Sequence, residues 1–498
     1  MGGAPARRQH GAHQADAGQL GAEEARHRLA VAGGRRPRAG EGDPTRRDQR
    51  KGDGAMTILH PLRALFASVL VLLAIATPAT ALDIREVKTP KGITIWLVED
   101  HAIPLIVMDF RFFGGESHDP EDKQGLATFL SVMLDEGAGD MPSQVFQRRV
   151  EELAMKLSFS SSLDYFSGSF KTLTRNREAS FALLKLALTR PRFDADAVER
   201  MRRQLIATLK RKRQQPDHIA FQAFKKALFG DHPYARSGYG ALASLRAITA
   251  GDLRDLHRRL FARNKLLVTM AGDIDAATAA RLVDATFGEL PAKSGIREID
   301  KPVFPQRPVT RIIKRPIPQT LIFMGHEAPV RADPDFIAAE LVRYILGGGN
   351  LSRLNTELRE KRGLTYSTYA ALHALRKTGV FLAHASTVNG KAGETLKLMR
   401  QTLARLAEEG PTEKELREAK TYIINSYYLG FGSLSGIASN LLGIRGYNLG
   451  IDYLKRRKRL IEAVTIEDTR RVARRLIRLE KMITILTGQP QGVAAPRR

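Results

Sequence analysis

The 498-residue sequence has no cysteine, which removes disulfides, thiolate zinc sites and cysteine nucleophiles together. Its uncharged apolar run, Ala64–Thr77, falls short of the roughly 20 residues needed to cross a bilayer. Paired metal ligands are scarce: of twelve histidines, only His10 and His13 lie three or four positions apart. The glycine run Gly347–Gly349 lacks the Gly-Lys-Ser/Thr ending of a phosphate loop, which argues against nucleotide binding; a tight turn between helices is the simpler use. Acid is in short supply, with 53 Asp and Glu against 79 Lys and Arg, giving a net charge of +26 and an isoelectric point near 10.3.

Such a charge admits nucleic acid, an acidic partner or an anionic surface. The basic residues are spread along the chain, however, and most alternate with apolar ones, as in Met201–Lys212 and Thr469–Arg478; Lys455–Arg459 is the main exception. This pattern reads as solvated basic helix faces, and no nucleic-acid motif accompanies it. With 43% hydrophobic residues the composition is globular, and the length suggests two to four domains.

Residues 1–55 are rich in Gly, Ala and Arg and too poor in large apolar residues to offset the entropy of ordering. From Met56 the pattern changes to a basic start, the run Ala64–Thr77 and the small residues Ala79-Thr80-Ala81. This predicts a secretory signal over 56–81, with Met56 as the true start, 1–55 as a misassigned upstream extension and Leu82 as the first mature residue. Without a cysteine after the cleavage site a lipid anchor is excluded, and a periplasmic location without a stable membrane anchor is expected.

Beyond Leu82 the chain echoes itself. Pro104–Phe110 and Gln319–Met324 read as apolar strands opening each half, and Asp194–Leu205 and Thr412–Lys420 as amphipathic helices with acidic starts. Each half ends in a helix and a strand: Thr249–Leu260 then Lys265–Asp273, and Thr465–Leu476 then Met482–Gly488. In both, Thr is followed three residues later by Asp, a capping-box pattern. The proline-bearing stretch 293–308 reads as a linker, which leaves lobes at 82–292 and 309–490 and a tail at 491–498. The predicted fold class is α+β: two tandem homologous lobes facing each other across a cleft.

The segment Gly125-Leu-Ala-Thr-Phe-Leu-Ser-Val-Met-Leu, with Gly114-Gly-Glu-Ser before it and Asp135-Glu-Gly-Ala after it, resembles the motif region of the pitrilysin/insulinase family of zinc peptidases. Those enzymes carry Gly-Leu-Ala-His-Phe-Leu-Glu-His-Met-Leu, in which two histidines bind zinc and the glutamate is the general base. The resemblance places the first histidine on Thr128, the glutamate on Ser131 and the second histidine on Val132, with the family's third ligand falling on Thr208. None of these four residues is an imidazole, thiolate or carboxylate, so the chain is expected to bind no zinc and to cut no peptide bond alone. Glu199 stays on the Thr208 helix but reads as a surface charge near a helix start. His232-Pro-Tyr, Leu245–Thr249, Asn264 and Ala271-Gly-Asp follow the family's order, and His232 itself reads as part of a turn.

The stretch Gly347–Ser367 is similar to the family's second-lobe segment, where an Arg and a Tyr seven residues later reach the substrate; here they are Arg359 and Tyr366. By the resemblance, the tyrosine would donate to the developing oxyanion and the arginine would bind substrate carbonyls. Read without it, Arg359 would pair with a nearby carboxylate and Tyr366 would start a strand. Some bacterial relatives divide zinc and the Arg/Tyr pair between two chains. The resemblance therefore implies a non-catalytic subunit that works with a zinc-bearing homologous partner on peptide substrate. A peptide-binding or structural assembly subunit without a proteolytic role is the alternative.

Overall fold

The structure, a computed structural model, describes residues 82–493; the extension and signal assigned to 1–81 lie outside the described residues. Two mixed sheets organise the chain. The first runs Arg85–Lys88, Thr94–Glu99, Leu266–Gly272, Leu105–Phe113, Tyr165–Leu173 and Lys156–Ser161 from edge to edge. The second runs Val309–Lys314, Ile483–Gly488, Gln319–Ala328, Gly379–Val388 and Ser367–Ala374. Apart from the extra strand Arg85–Lys88, the two orders are the same. Each holds one parallel pair, Thr94–Glu99 with Leu266–Gly272 and Val309–Lys314 with Ile483–Gly488, while the other neighbours are antiparallel. The internal echo in the sequence is thus a repeat of topology, and the fold is two α+β lobes.

The local signals act as their chemistry requires. Thr249 and Thr465 cap helices Ala250–Leu260 and Ile466–Leu476, each hydroxyl accepting from the amide of the Asp three residues on while that Asp accepts from the cap amide. Helix Ile466–Leu476 buries Ile466, Thr469, Val472, Ala473 and Leu476 along one stripe. Its arginines face outward, where Arg471 and Arg475 pair with Asp335 and Asp333. Even the Lys455–Arg459 run is partly absorbed, since Arg457 lies 3.8 Å over the Tyr427 ring and donates to Ile423 O. Residues 491–493 continue to pack past the expected limit at Pro490: Gly393 N donates to Gln491 O at 3.0 Å, and Val493 lies against the second core. Among the described residues no helix is long and apolar enough to cross a membrane.

Each sheet is apolar on both faces, and the two halves exchange helices to cover the second face. Helix Pro216–Phe229 of the first half packs on the second sheet, burying Ala220, Phe224 and Leu228 against Phe323, Leu382 and Ile485. Helix Leu434–Gly446 of the second half packs on Leu105–Phe113 and Leu266–Gly272 of the first sheet. Gly325 leaves room for Phe224, whose Cζ lies 2.8 Å from where a Cβ at position 325 would stand. On the reciprocal contact, Arg445 donates to Thr94 O and Val268 O at 2.7 Å each, and Thr269 Oγ1 donates to Ala438 O at 2.8 Å. Burial draws the Arg445 guanidinium down to about 10. At the sheet ends, Asp164 accepts from Tyr234 Oη (2.6 Å) within the first half and from Arg376 N (2.8 Å) of the second.

Truncating Phe224 to Ala is expected to remove about 3–5 kcal/mol of stability. Because that ring joins both halves, guanidinium unfolding followed by tryptophan fluorescence (Trp96, first sheet) and by far-UV circular dichroism should shift together. Divergence of the two curves would contradict the shared core. The second sheet also buries His326 and His384, and burial lowers both to about 4 from the ordinary 6.5. The unfolded chain therefore binds more protons than the folded one between those values, so their contribution is present above pH 6.5 and is lost as pH falls toward 4. Melting temperature should drop through that window, and less so in a His384→Gln variant.

Candidate functional site

The motif segment folds as a short helix, Leu126–Ser131, entered through Gly125 at φ 93 and left at Val132. The positive φ at Gly125 favours glycine, and a Cβ there would stand 3.1 Å from Gly240 Cα. The helix start is held by Asp119, whose carboxylate accepts from the amides of Gly125 (2.8 Å) and Ala127 (3.0 Å). Burial pushes that carboxyl up to about 8, while the two amides pull it the other way. Arg236 fixes the same loop by donating to Asp119 O at 2.7 Å.

All six helical residues are buried. Thr128 Oγ1 donates to Gly238 O at 2.7 Å and lies 3.4 Å from a Glu116 carboxylate oxygen. Ser131 Oγ donates back to Thr128 O at 2.8 Å, and Val132 packs against the first core. Thr208, in helix Ala195–Lys212, accepts from Arg211 at 3.0 Å, so a guanidinium stands beside the residue onto which the resemblance places the family's third ligand. Glu199 is exposed and paired with Arg202 at 3.0 Å, as expected of a surface charge. The zinc that the family implies does not fit: the hydroxyls are engaged locally, Val132 carries no donor, and Arg211 adds positive charge beside Thr208. Among the described residues, no cluster of three or more His, Cys, Asp or Glu is arranged to hold a metal ion.

The second-lobe pair is placed differently. Arg359 lies in the π-helical turn Asn355–Glu360, and Tyr366 immediately precedes strand Ser367–Ala374. Their supports are firmly held. Leu358 is fully buried, Leu364 N donates to Leu358 O at 2.8 Å, and Thr365 Oγ1 donates to Ser386 O. Arg353 grips Glu415 through two bonds at 2.7 and 2.8 Å. Of the two acids flanking Arg359 in sequence, Glu357 pairs with Lys361 and Arg362 at 2.8 Å each, and Glu360 accepts from Asn355 at 3.4 Å. Arg359 is exposed and makes no side-chain hydrogen bond or ion pair among the described residues; Tyr366 is 78% exposed and equally unpartnered. No hydrogen bond or ring contact joins the two to each other or to the motif helix.

Sequence reasoning missed Asp119, Glu116 and Arg211. Asp119 lies six residues before Gly125 and acts through a loop, which no spacing reveals, whereas Arg211 stands one helical turn from Thr208 and was open to view. His232 does set a turn: its Nδ1 accepts from Tyr234 N at 3.2 Å, and Tyr234 is fully buried.

Two family descriptions fit this architecture. "Insulinase (Peptidase family M16)" matches residues 111–241, and "Peptidase M16 inactive domain" matches residues 247–423. The chain is 24% identical to a Helicobacter pylori protein named non-peptidase homolog YmxG, over 73% of this chain and 84% of that one. It is 26% identical to a Mycobacterium bovis protein named an uncharacterized zinc protease, over 81% and 92%. A crystal structure described as the peptidase M16 inactive domain from Pseudomonas fluorescens superposes with a TM-score of 0.78 at 28% identity, covering 84% of this chain and 100% of that one. The periplasmic protease PqqL from Escherichia coli shares the fold, with a TM-score of 0.71 at 16% identity over 82% of this chain and 46% of that one. The chain belongs to the pitrilysin/insulinase family of zinc peptidases and is of its inactive type.

After equilibration with one molar equivalent of zinc and desalting, the purified chain is expected to retain far less than one zinc per molecule by elemental analysis. Stoichiometric retention would mean that ligands other than Thr128, Val132 and Thr208 form a site.

Proposed function

We propose that this chain is the non-catalytic subunit of a two-chain zinc peptidase, exported to the periplasm through the signal at 56–81. It presents Arg359 and Tyr366 to peptide held by a zinc-bearing homologous partner. The observation that carries this reading is the state of those two side chains: both are exposed and unpartnered on a backbone whose neighbours are tightly fixed. Family resemblance supports the roles. In trans, Tyr366 Oη would donate to the oxyanion that develops as water adds to a peptide carbonyl, and the Arg359 fork would bind neighbouring substrate carbonyls; the partner's zinc would supply the activation of that water. The periplasmic location named for PqqL is in keeping with export.

The test is reconstitution with the zinc-bearing homologue of the same organism, recognised by an intact His-x-x-Glu-His. Adding this chain should raise hydrolysis of a fluorogenic peptide strongly. Tyr366→Phe should then lower kcat by about 10²–10³, the cost of one oxyanion donor, while Arg359→Ala should mainly raise KM. Peptide binding with no partner-dependent hydrolysis would instead assign a peptide-binding or assembly role.

A further inference from the structure

The two lobes differ at one sheet edge. In the first, strand Arg85–Lys88 pairs antiparallel with Thr94–Glu99, and helix Ala276–Phe287 closes over the same side, with Lys91 N donating to Asp284 at 3.1 Å. In the second, the equivalent strand Val309–Lys314 has no outer neighbour among the described residues, and after Gly488 the chain runs on to Val493 without a helix. Val309 N donates to Met482 O (3.2 Å) and Arg315 N to Gly488 O (3.0 Å). The alternation of a parallel ladder then turns the amides of Thr310, Ile312 and Lys314 outward, where no backbone partner meets them among the described residues.

A groove of about 400 Å³ lies at this edge, lined by Thr310, Leu396, Lys397, Arg400 and Val493 among others. Its charge is of one sign: Lys397 and Arg400 line it, and Arg311, Lys314 and Arg315 stand along the strand, none with an acidic partner among the described residues. Leu396, Ile312 and Val493 provide an apolar floor against the second core.

We infer that this edge docks an extended acidic segment of a partner protein, paired antiparallel to Val309–Lys314 as the missing sixth strand. Main-chain bonds to Thr310 and Ile312 would set its register, alternate side chains would enter the groove, and carboxylates would meet Lys397 and Arg400. Residues 494–498, which follow the groove-lining Val493, are basic and do not suit the site.

A fluorescein-labelled octapeptide of alternating Glu and Val, with an alternating Lys and Val peptide as control, tests the assignment by fluorescence anisotropy. The acidic peptide should bind and the basic one should not. Lys397→Glu with Arg400→Glu should weaken binding at least tenfold. Thr310→Pro, which removes an outward amide without touching the inner ladder, should do the same while far-UV circular dichroism and melting temperature stay unchanged. Hydrogen exchange should slow at residues 310–314 in the complex. Equal affinity of Thr310→Pro, or protection elsewhere, overturns the assignment. So does a dimer in sedimentation that Thr310→Pro dissolves, since a second copy would then cover the edge. Arg359→Ala with Tyr366→Phe should bind the peptide as wild type, so this outcome is independent of the proposed peptidase role.

Discussion

The fold depends on covering two sheets that are each apolar on both faces. A sheet of that kind needs a layer on either side, and a lobe's own helices supply only one. The exchange of Pro216–Phe229 for Leu434–Gly446 supplies the other, so neither half has a complete core by itself. Burial of rings such as Phe224, Phe229 and Phe323 provides the driving force. The polar contacts across the halves have a different role. Arg445 is costly to bury, but once inserted, its two carbonyl partners tolerate little sliding of the helix. Glu298, in the linker, meets Lys265 of the first half and Arg376 and Lys377 of the second; burial would raise its carboxyl, yet the three cations hold it at about 2. Apolar area joins the lobes and these bonds fix their register.

The same energetics explain why the motif helix could change without damage. A buried site with two imidazoles and a carboxylate carries a desolvation cost that bound metal offsets. Thr128, Ser131 and Val132 remove that cost: the hydroxyls bond to backbone carbonyls within reach, and the valine joins the core. Stability accounts for this helix without reference to function. It does not account for the side chains of Arg359 and Tyr366, which bury little and have no hydrogen-bond or ion-pair partner among the described residues. An exposed arginine with no acidic partner among the described residues adds almost nothing to folding.

Legibility in the sequence followed the range of the interactions. The capping boxes at Thr249 and Thr465 are complete within four residues and were readable. So were the amphipathic stripe of Ile466–Leu476 and the repeated order of elements. The helix exchange was not, because periodicity says that a face is apolar and not which sheet receives it. Leu434–Gly446 buries Leu434, Ile437, Ala438, Leu441, Leu442 and Ile444 and leaves only Ser439 exposed, a sign of burial between layers. Of the candidate site, residue identities were legible and their surroundings were not: Asp119 reaches the motif helix through a loop, and whether Arg359 and Tyr366 stay exposed depends on what packs around the turn that carries them.

The unequal edges of the repeat carry the last step. An open strand of six residues beside an apolar groove is a template for any extended chain, including another copy of the same strand. Arg311, Lys314 and Arg315 oppose that copy, since two such edges would align like charges at close range. The first lobe shields its equivalent edge with a strand and a helix, a solution that needs no charge. The second lobe keeps the edge open and guards it electrostatically, and such a guard is selective: it repels basic strands and leaves acidic ones free to pair.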